Sequence, residues 1–211
     1  MPAQTPVEIF GTPHSNFVRA VRVAIAEKGL PYEYHPVRPH SPEARAVHPL
    51  GLVPGLSHGE VVLGESPAII AYLDGLWADT PMGPSGSVGE AAEITQWISV
   101  VATAVDRTLI RRYVVAHVFP KTADGSPDRA AIEAVLPELR DVFTLLEARL
   151  SGGEYLAADR FTFADALLLT TLNAALSFPE AVEIATDAPT VRRFVELHSR
   201  RRSFVDTTQG S

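Results

Sequence analysis

VPGLSHGEVVLGESPAIIAYL, residues 53–73, holds in one stretch the signals that decide the fold. Pro54 follows the β-branched Val53 and restricts it to extended backbone. Two short strands, around 55–57 and 61–63, flank a His58-Gly59 turn. Ser66-Pro67 then marks a helix start, with Ser66 expected at the N-cap and Pro67 at the first helical position. Ala68, Ile69, Tyr72 and Leu73 continue it at helical spacing.

Working outward toward the N-terminus, residues 7–10 read as a strand. Val18, Val21 and Ile25 recur at helical spacing over 15–28, and Gly29 stands where a helix ends. Residues 32–37 read as a second strand. Ser41 and Pro42 open a short helix over 41–47, ahead of the loop HPLGLVP. The order is βαβαββα, which is thioredoxin-like, and residues 1–78 are assigned to that domain. Residues 79–89, DTPMGPSGSVG, are dense in Pro, Gly and Ser and read as a linker. Beyond it, 90–211 read as all-helical. A long helix over 90–119 stops at Pro120; Ile132, Val135, Leu139, Val142, Leu146 and Leu150 form a core stripe; 163–178 and 189–199 supply further helices. The fold class is therefore α/β plus all-α.

Bulk composition narrows the function. With 211 residues, 46% apolar and 20% charged, and a formal charge of -7, the chain is an ordinary globular protein with enough length for a proper core. A nucleic-acid reader is usually basic, so that class is disfavoured. The absence of cysteine excludes disulfides, thiolate metal sites and chemistry by a protein thiol. The opening MPAQTPVEIF lacks the blocks of a signal peptide, and the longest apolar run, 98–105, stops at Asp106, far short of a membrane span. The expected location is cytoplasmic, with no membrane partner.

Four segments could carry chemistry. In GTPHSNFVRAV, Ser15 falls between a strand and a helix, where a hydroxyl caps an orphan amide. The same helix start presents free amides and a partial positive charge to an anion. If that anion is a thiolate, the Ser15 hydroxyl can donate to it while its lone pairs still accept from the helix. In HPLGLVPGL, the Val53-Pro54 bond is either a trans turn or, within a thioredoxin-like domain, a cis bond that leaves the backbone of Val53 free for an extended peptide ligand. Glu65 beside the Ser66 helix start suits a group bearing both an ammonium and a carboxylate. In DRFTFADALLL, Thr162-x-x-Asp165 reads as a capping box, and Asp165 as structural. No histidine pair has helical ligand spacing, and His35, His40 and His48 fall in strand and loop, so no metal is expected. Arg111, Arg112 and Tyr113 form a basic-aromatic cluster that reads as a solvated helix face or as an acceptor contact.

Taken in order, EKGLPYE, VPGLSHGEVVLGESPAIIAYL and LAADRFTFADA resemble the glutathione transferase superfamily over nearly the whole chain, and more narrowly its cytosolic, serine-type, bacterial-like members. The resemblance implies that Val53 and cis-Pro54 bind the cysteinyl backbone of glutathione and that Glu65 and Ser66 bind its γ-glutamyl end. It places Ser15 at the glutathione sulfur, with Ser15-Asn16-Phe17-Val18 where thioredoxins carry a dithiol, so thiol-disulfide exchange is not expected. Many members carry Lys or Gln before the Val-Pro pair to hold the glycine carboxylate; here the residue is Leu52, and His40 is the substitute. Ser15-Asn16-Phe17 also departs from the Ser-Ser-Cys segment of the family's maleylacetoacetate isomerase branch. The implied function is conjugation of glutathione, as co-substrate, to a small electrophile by a homodimer. The rivals are a non-catalytic binding relative, favoured by Leu52, and a glutathione-dependent peroxidase.

Overall fold

The computed structural model describes residues 6–120 and 122–207; the outer ends of both assigned domains, 1–5 and 208–211, lie outside the described residues. The first half contains β1 (Val7–Gly11), α1 (Asn16–Glu27), β2 (Tyr32–Pro36), α2 (Pro42–Val47), β3 (Gly55–His58), β4 (Val61–Gly64) and α3 (Ser66–Leu76). The strands form one sheet in the order β2-β1-β3-β4. β1 and β2 run parallel, joined through α1, while β1-β3 and β3-β4 are antiparallel. This is the thioredoxin-like arrangement.

α1 ends as Gly29 predicts. Gly29 has φ 65, its N–H donates to Ala26 O at 3.0 Å, and Leu30 N–H donates to Ile25 O at 3.2 Å, which together make a Schellman cap. At the start of α3 the sequence reading is corrected. Ser66 is the first helical residue rather than the N-cap, and Glu65 takes the cap position at φ 65 without a capping side-chain bond. The register of β4 decides this: Gly64 is still paired with Gly55, so the chain must turn within a single residue.

The second half is helical: α4 (Val88–Val100), α5 (Val115–Val118), α6 (Arg129–Leu150), α7 (Phe163–Ala175), α8 (Pro179–Ile184), α9 (Pro189–His198) and α10 (Arg202–Asp206). α8 and α10 were not anticipated. α4 starts at Val88, inside the expected linker, because the Ser87 hydroxyl caps Glu90 N–H. The long helix that α4 opens is not uniform. Between α4 and α5 it winds as π-helix over Val101–Val105 and Arg107–Val114. On α6, Phe143 rather than Val142 faces the core, completing a stripe of Ile132, Val135, Leu139, Phe143, Leu146 and Leu150. α7 is buried on nearly all sides, as expected of a helix apolar all round, and packs against α1. One apolar cluster thus runs from Val7 to Phe204 through both halves. Among the described residues no single helix is long and apolar enough to cross a membrane.

Candidate functional site

The sheet register gathers the candidate residues at one end. Phe10 of β1 pairs with Gly55 of β3, and Gly55 pairs with Gly64 of β4. Ser15, Val53 and Glu65 therefore leave the sheet from the same edge of this row: just after β1, just before β3 and just after β4.

Ser15 caps α1. Its backbone is extended at φ -77, ψ 123, and its Oγ accepts from Val18 N–H at 3.3 Å. The hydroxyl hydrogen has no acceptor among the described residues. The first turn of α1 carries no acidic side chain of its own, and the carboxylate nearest this helix start comes from Asp106.

Asn16, which the sequence reading passed over, fixes this helix start against the helical half. Its side-chain amide donates to Asp106 Oδ1 at 3.0 Å and to Thr171 Oγ1 at 2.9 Å, using both hydrogens. The Thr170 hydroxyl donates to the Asn16 carbonyl at 3.0 Å. All four side chains are buried. Asn16→Ala removes two buried hydrogen bonds, one to the Asp106 carboxylate and one to the Thr171 hydroxyl, and is expected to cost about 1–3 kcal/mol. Urea unfolding measures this, and an unmoved midpoint would mean that water replaces the amide.

The expected cluster Arg111, Arg112 and Tyr113 does not come together. Tyr113 is fully buried, donates to Glu180 Oε2 at 2.9 Å and accepts from Ala181 N–H at 3.0 Å. Arg112 is ion-paired with Glu138 of α6. Only Arg111 joins the network behind Ser15, through Nε to Asp106 Oδ2 at 2.9 Å. Neighbours in a helix point in different directions, so three in a row cannot line one wall.

The opposite wall is the loop before β3. The Val53-Pro54 bond is cis, and the Val53 N–H and C=O pair with nothing among the described residues. His40, at φ 66, donates its N–H to Gly51 O at 2.6 Å, and its ring is exposed beside this loop. Leu52 is exposed and offers no charge beside the Val53-Pro54 pair. Glu65 and His40 are two of three described non-glycine residues with positive φ, a conformation that concentrates at functional sites.

His48 links the loop to Glu65. Its Nδ1 accepts from Leu50 N–H at 3.1 Å, so Nε2 carries the hydrogen, directed at Glu65 Oε1 at 3.4 Å. The buried imidazole lies on Gly64, where a Cβ would come within 2.4 Å of its ring. Ser66 is buried beneath Glu65.

Helical spacing among histidines is not the only route to a metal site. Strand pairing sets Glu8 opposite Glu33, with His35 Nε2 3.0 Å from Glu8 Oε1, and the three ligand atoms lie within 4.8 Å of one another. These partly exposed groups could hold a cation. They lie on the sheet face opposite the buried Ile9.

Comparison with known proteins accords with this geometry. The chain matches the family model for the glutathione S-transferase N-terminal domain over residues 9–81 and that for the C-terminal domain over 109–201. It is 30% identical over 217 residues to glutathione S-transferase 3 of Zea mays, covering 96% of this chain and 93% of that one. Glutathione transferase F7 of Populus trichocarpa superimposes with a TM-score of 0.85 at 26% identity, over 97% of this chain and 98% of that one. Maize glutathione S-transferase I in complex with an atrazine glutathione conjugate gives 0.84 at 26%, over 97% of each chain. With both halves matched in order and the fold shared along almost its full length, the chain belongs to the glutathione S-transferase family of enzymes.

Proposed function

We propose that this protein conjugates glutathione to a small electrophile, with Ser15 stabilising the thiolate. The observation that carries the reading is the meeting, at one sheet end, of a cap hydroxyl with a spare hydrogen, an unpaired stretch of backbone at Val53 and the Glu65-Ser66 helix start. The tripeptide lies across them. Val53 exchanges backbone hydrogen bonds with the cysteinyl residue, next to cis-Pro54. The Glu65 carboxylate, steadied by His48, takes the γ-glutamyl ammonium, and the backbone at Ser66 takes its carboxylate. His40 serves the glycine carboxylate in place of a residue at position 52.

A free thiol has a pKa of about 8.5 and is a few per cent ionised at neutral pH. One charge-assisted hydrogen bond from Ser15, worth ~1.5–3 kcal/mol, lowers that by roughly one to two units. The sulfur lone pair then attacks the electrophilic carbon. The C–S bond forms as the leaving group departs with its electron pair, or as the pair moves onto the acceptor. Ser15 is never covalently engaged.

In this reading, 1–78 bind glutathione and 90–211 supply the acceptor wall, and the enzyme works as a cytoplasmic homodimer. The named relatives are plant proteins and lend no support to a bacterial-like placement; the serine-type assignment rests on Ser15 itself. Ser15→Ala is expected to lower kcat/KM toward chlorodinitrobenzene about 10–100-fold near neutral pH and to move the pH-rate profile upward by roughly one to two units. Equal rates for both proteins would remove Ser15 from the mechanism. Retention on immobilised glutathione without conjugation would favour a binding protein, and turnover of cumene hydroperoxide alone would favour a peroxidase.

A further inference from the structure

We infer that Arg111 is the anion-binding side chain of the acceptor site, and that the acceptor is an electrophile carrying a carboxylate. This deepens the conjugation reading and rests on it.

The π-helical winding sets the geometry. In an α-helix, residues five apart are rotated by roughly 140° from one another. The i→i+5 winding of Arg107–Val114 instead brings Arg111 onto the face of Asp106, where its Nε–H meets Oδ2 at 2.9 Å. Asp106 is also the residue that holds Asn16, immediately after Ser15. A single buried carboxylate therefore ties the guanidinium to the helix start where the thiolate forms.

The two ends of the pair are differently disposed. The Asp106 side chain is 6% exposed and the Arg111 side chain 62%. Only Nε of Arg111 is used, so its two terminal amino groups face solvent unpaired among the described residues. Arg112 and Arg129, by contrast, spend a terminal nitrogen on Glu138 and Glu180. A guanidinium with Nε committed keeps one planar edge of two parallel N–H donors, the shape that a carboxylate fits in bidentate fashion. Asp106 restrains the long side chain beforehand, so less rotamer freedom is lost on binding. An anionic acceptor seated on Arg111 would place its electrophilic carbon toward the α1 N-terminus.

The test uses an aryl chloride in two forms: a chlorodinitrobenzoate with chlorine para to the carboxylate, and its methyl ester. In each, sulfur bonds to the ring carbon and chloride leaves with the bonding pair. The readout is the ratio of kcat/KM for acid over ester, in wild type, Arg111→Gln and Arg111→Lys. Arg111→Gln is expected to lower that ratio about tenfold, the low end for a charge-assisted contact at an exposed site, with Arg111→Lys in between. A structural role through Asp106 would slow both substrates alike and leave the ratio unchanged, which overturns the inference. The glutathione conjugates of both compounds, prepared chemically and titrated by tryptophan fluorescence, give a reading independent of turnover. If neither chloride reacts but the acid conjugate binds tighter by a margin that Arg111→Gln removes, the conjugation reading fails and the Arg111 site stands. If the two conjugates bind wild type equally, the Arg111 site fails whatever the turnover.

Discussion

Asp165→Ala is expected to destabilise the protein by about 3–5 kcal/mol, because three donors lose their acceptor inside the core. The carboxylate, fully buried at the start of α7, accepts from Leu156 N–H at 2.6 Å and from both the N–H and the hydroxyl of Thr162 at 2.8 Å. Alanine fills none of these roles and removes the capping box as well. For a chain of this size the thermal midpoint should fall by on the order of 10 °C. A fall of only one or two degrees would mean that water enters and satisfies the loop.

The same residue has a pH signature. Burial pushes the Asp165 carboxyl up from 3.8 to about 6, against the pull of its hydrogen-bond donors. Between those values the native state binds more protons than the unfolded chain, so the stability this group contributes falls as pH rises through the window. Wild type should therefore lose stability relative to Asp165→Asn from pH ~4 to ~6. Denaturant midpoints for the two proteins across that range check the sign, and a rise would refute it.

Lys28→Met is expected to be about as damaging, at roughly 3–5 kcal/mol, since it breaks a buried ion pair from one side. The Lys28 ammonium is almost wholly enclosed. It donates to Asp74 Oδ1 at 2.7 Å, to Trp77 O at 2.6 Å and to Thr80 O at 2.7 Å. Asp74 in turn accepts from the N–H of Met82 and of Gly83. One cation thus holds the segment after α3 against the end of α1. Methionine keeps the apolar stem but leaves two carbonyls and a carboxylate without their donor. The double variant Lys28→Met, Asp74→Asn should recover part of the loss, because the uncompensated charge is gone. Limited proteolysis should cut the single variant within 78–87; equal resistance in the two single-chain samples, variant and wild type, would show that the segment does not depend on Lys28.

Much of the first half, and one cap in the second, was legible in the sequence, for a local reason. Gly29 ends α1, Ser41 and Ser15 cap helices, and Thr162 with Asp165 forms the capping box, while the hairpin turns at Gly59-Glu60, one residue beyond the expected His58-Gly59, because His58 still pairs with Val61. Each of these signals acts over about four residues, so spacing suffices to read it. Lys28 belongs to the same class as a motif, EKGL, but nothing in the motif reveals that its ammonium gathers carbonyls about fifty positions away.

Where local rules and tertiary demands compete, the sequence misleads. Ser66-Pro67 is a good helix start by propensity, yet strand pairing through Gly64 moves the cap back to Glu65 and into a left-handed conformation. Arg111, Arg112 and Tyr113 look like a cluster in print, and helical rotation sends them to three different neighbours.

The sequence by itself determined the strand and helix order of the first half, the caps of α1, α2 and α7, and the Ser15 helix start, because hydrophobic period and capping chemistry are short-range. Only the tertiary structure decided what stands around Ser15. Asn16 meets Asp106 and Thr171 across 90 and 155 residues of chain, and the π-helical turn then hands Arg111 to the same carboxylate. Contacts at that separation depend on how α1, α7 and the long helix pack, a property of the assembled core that no window of sequence contains.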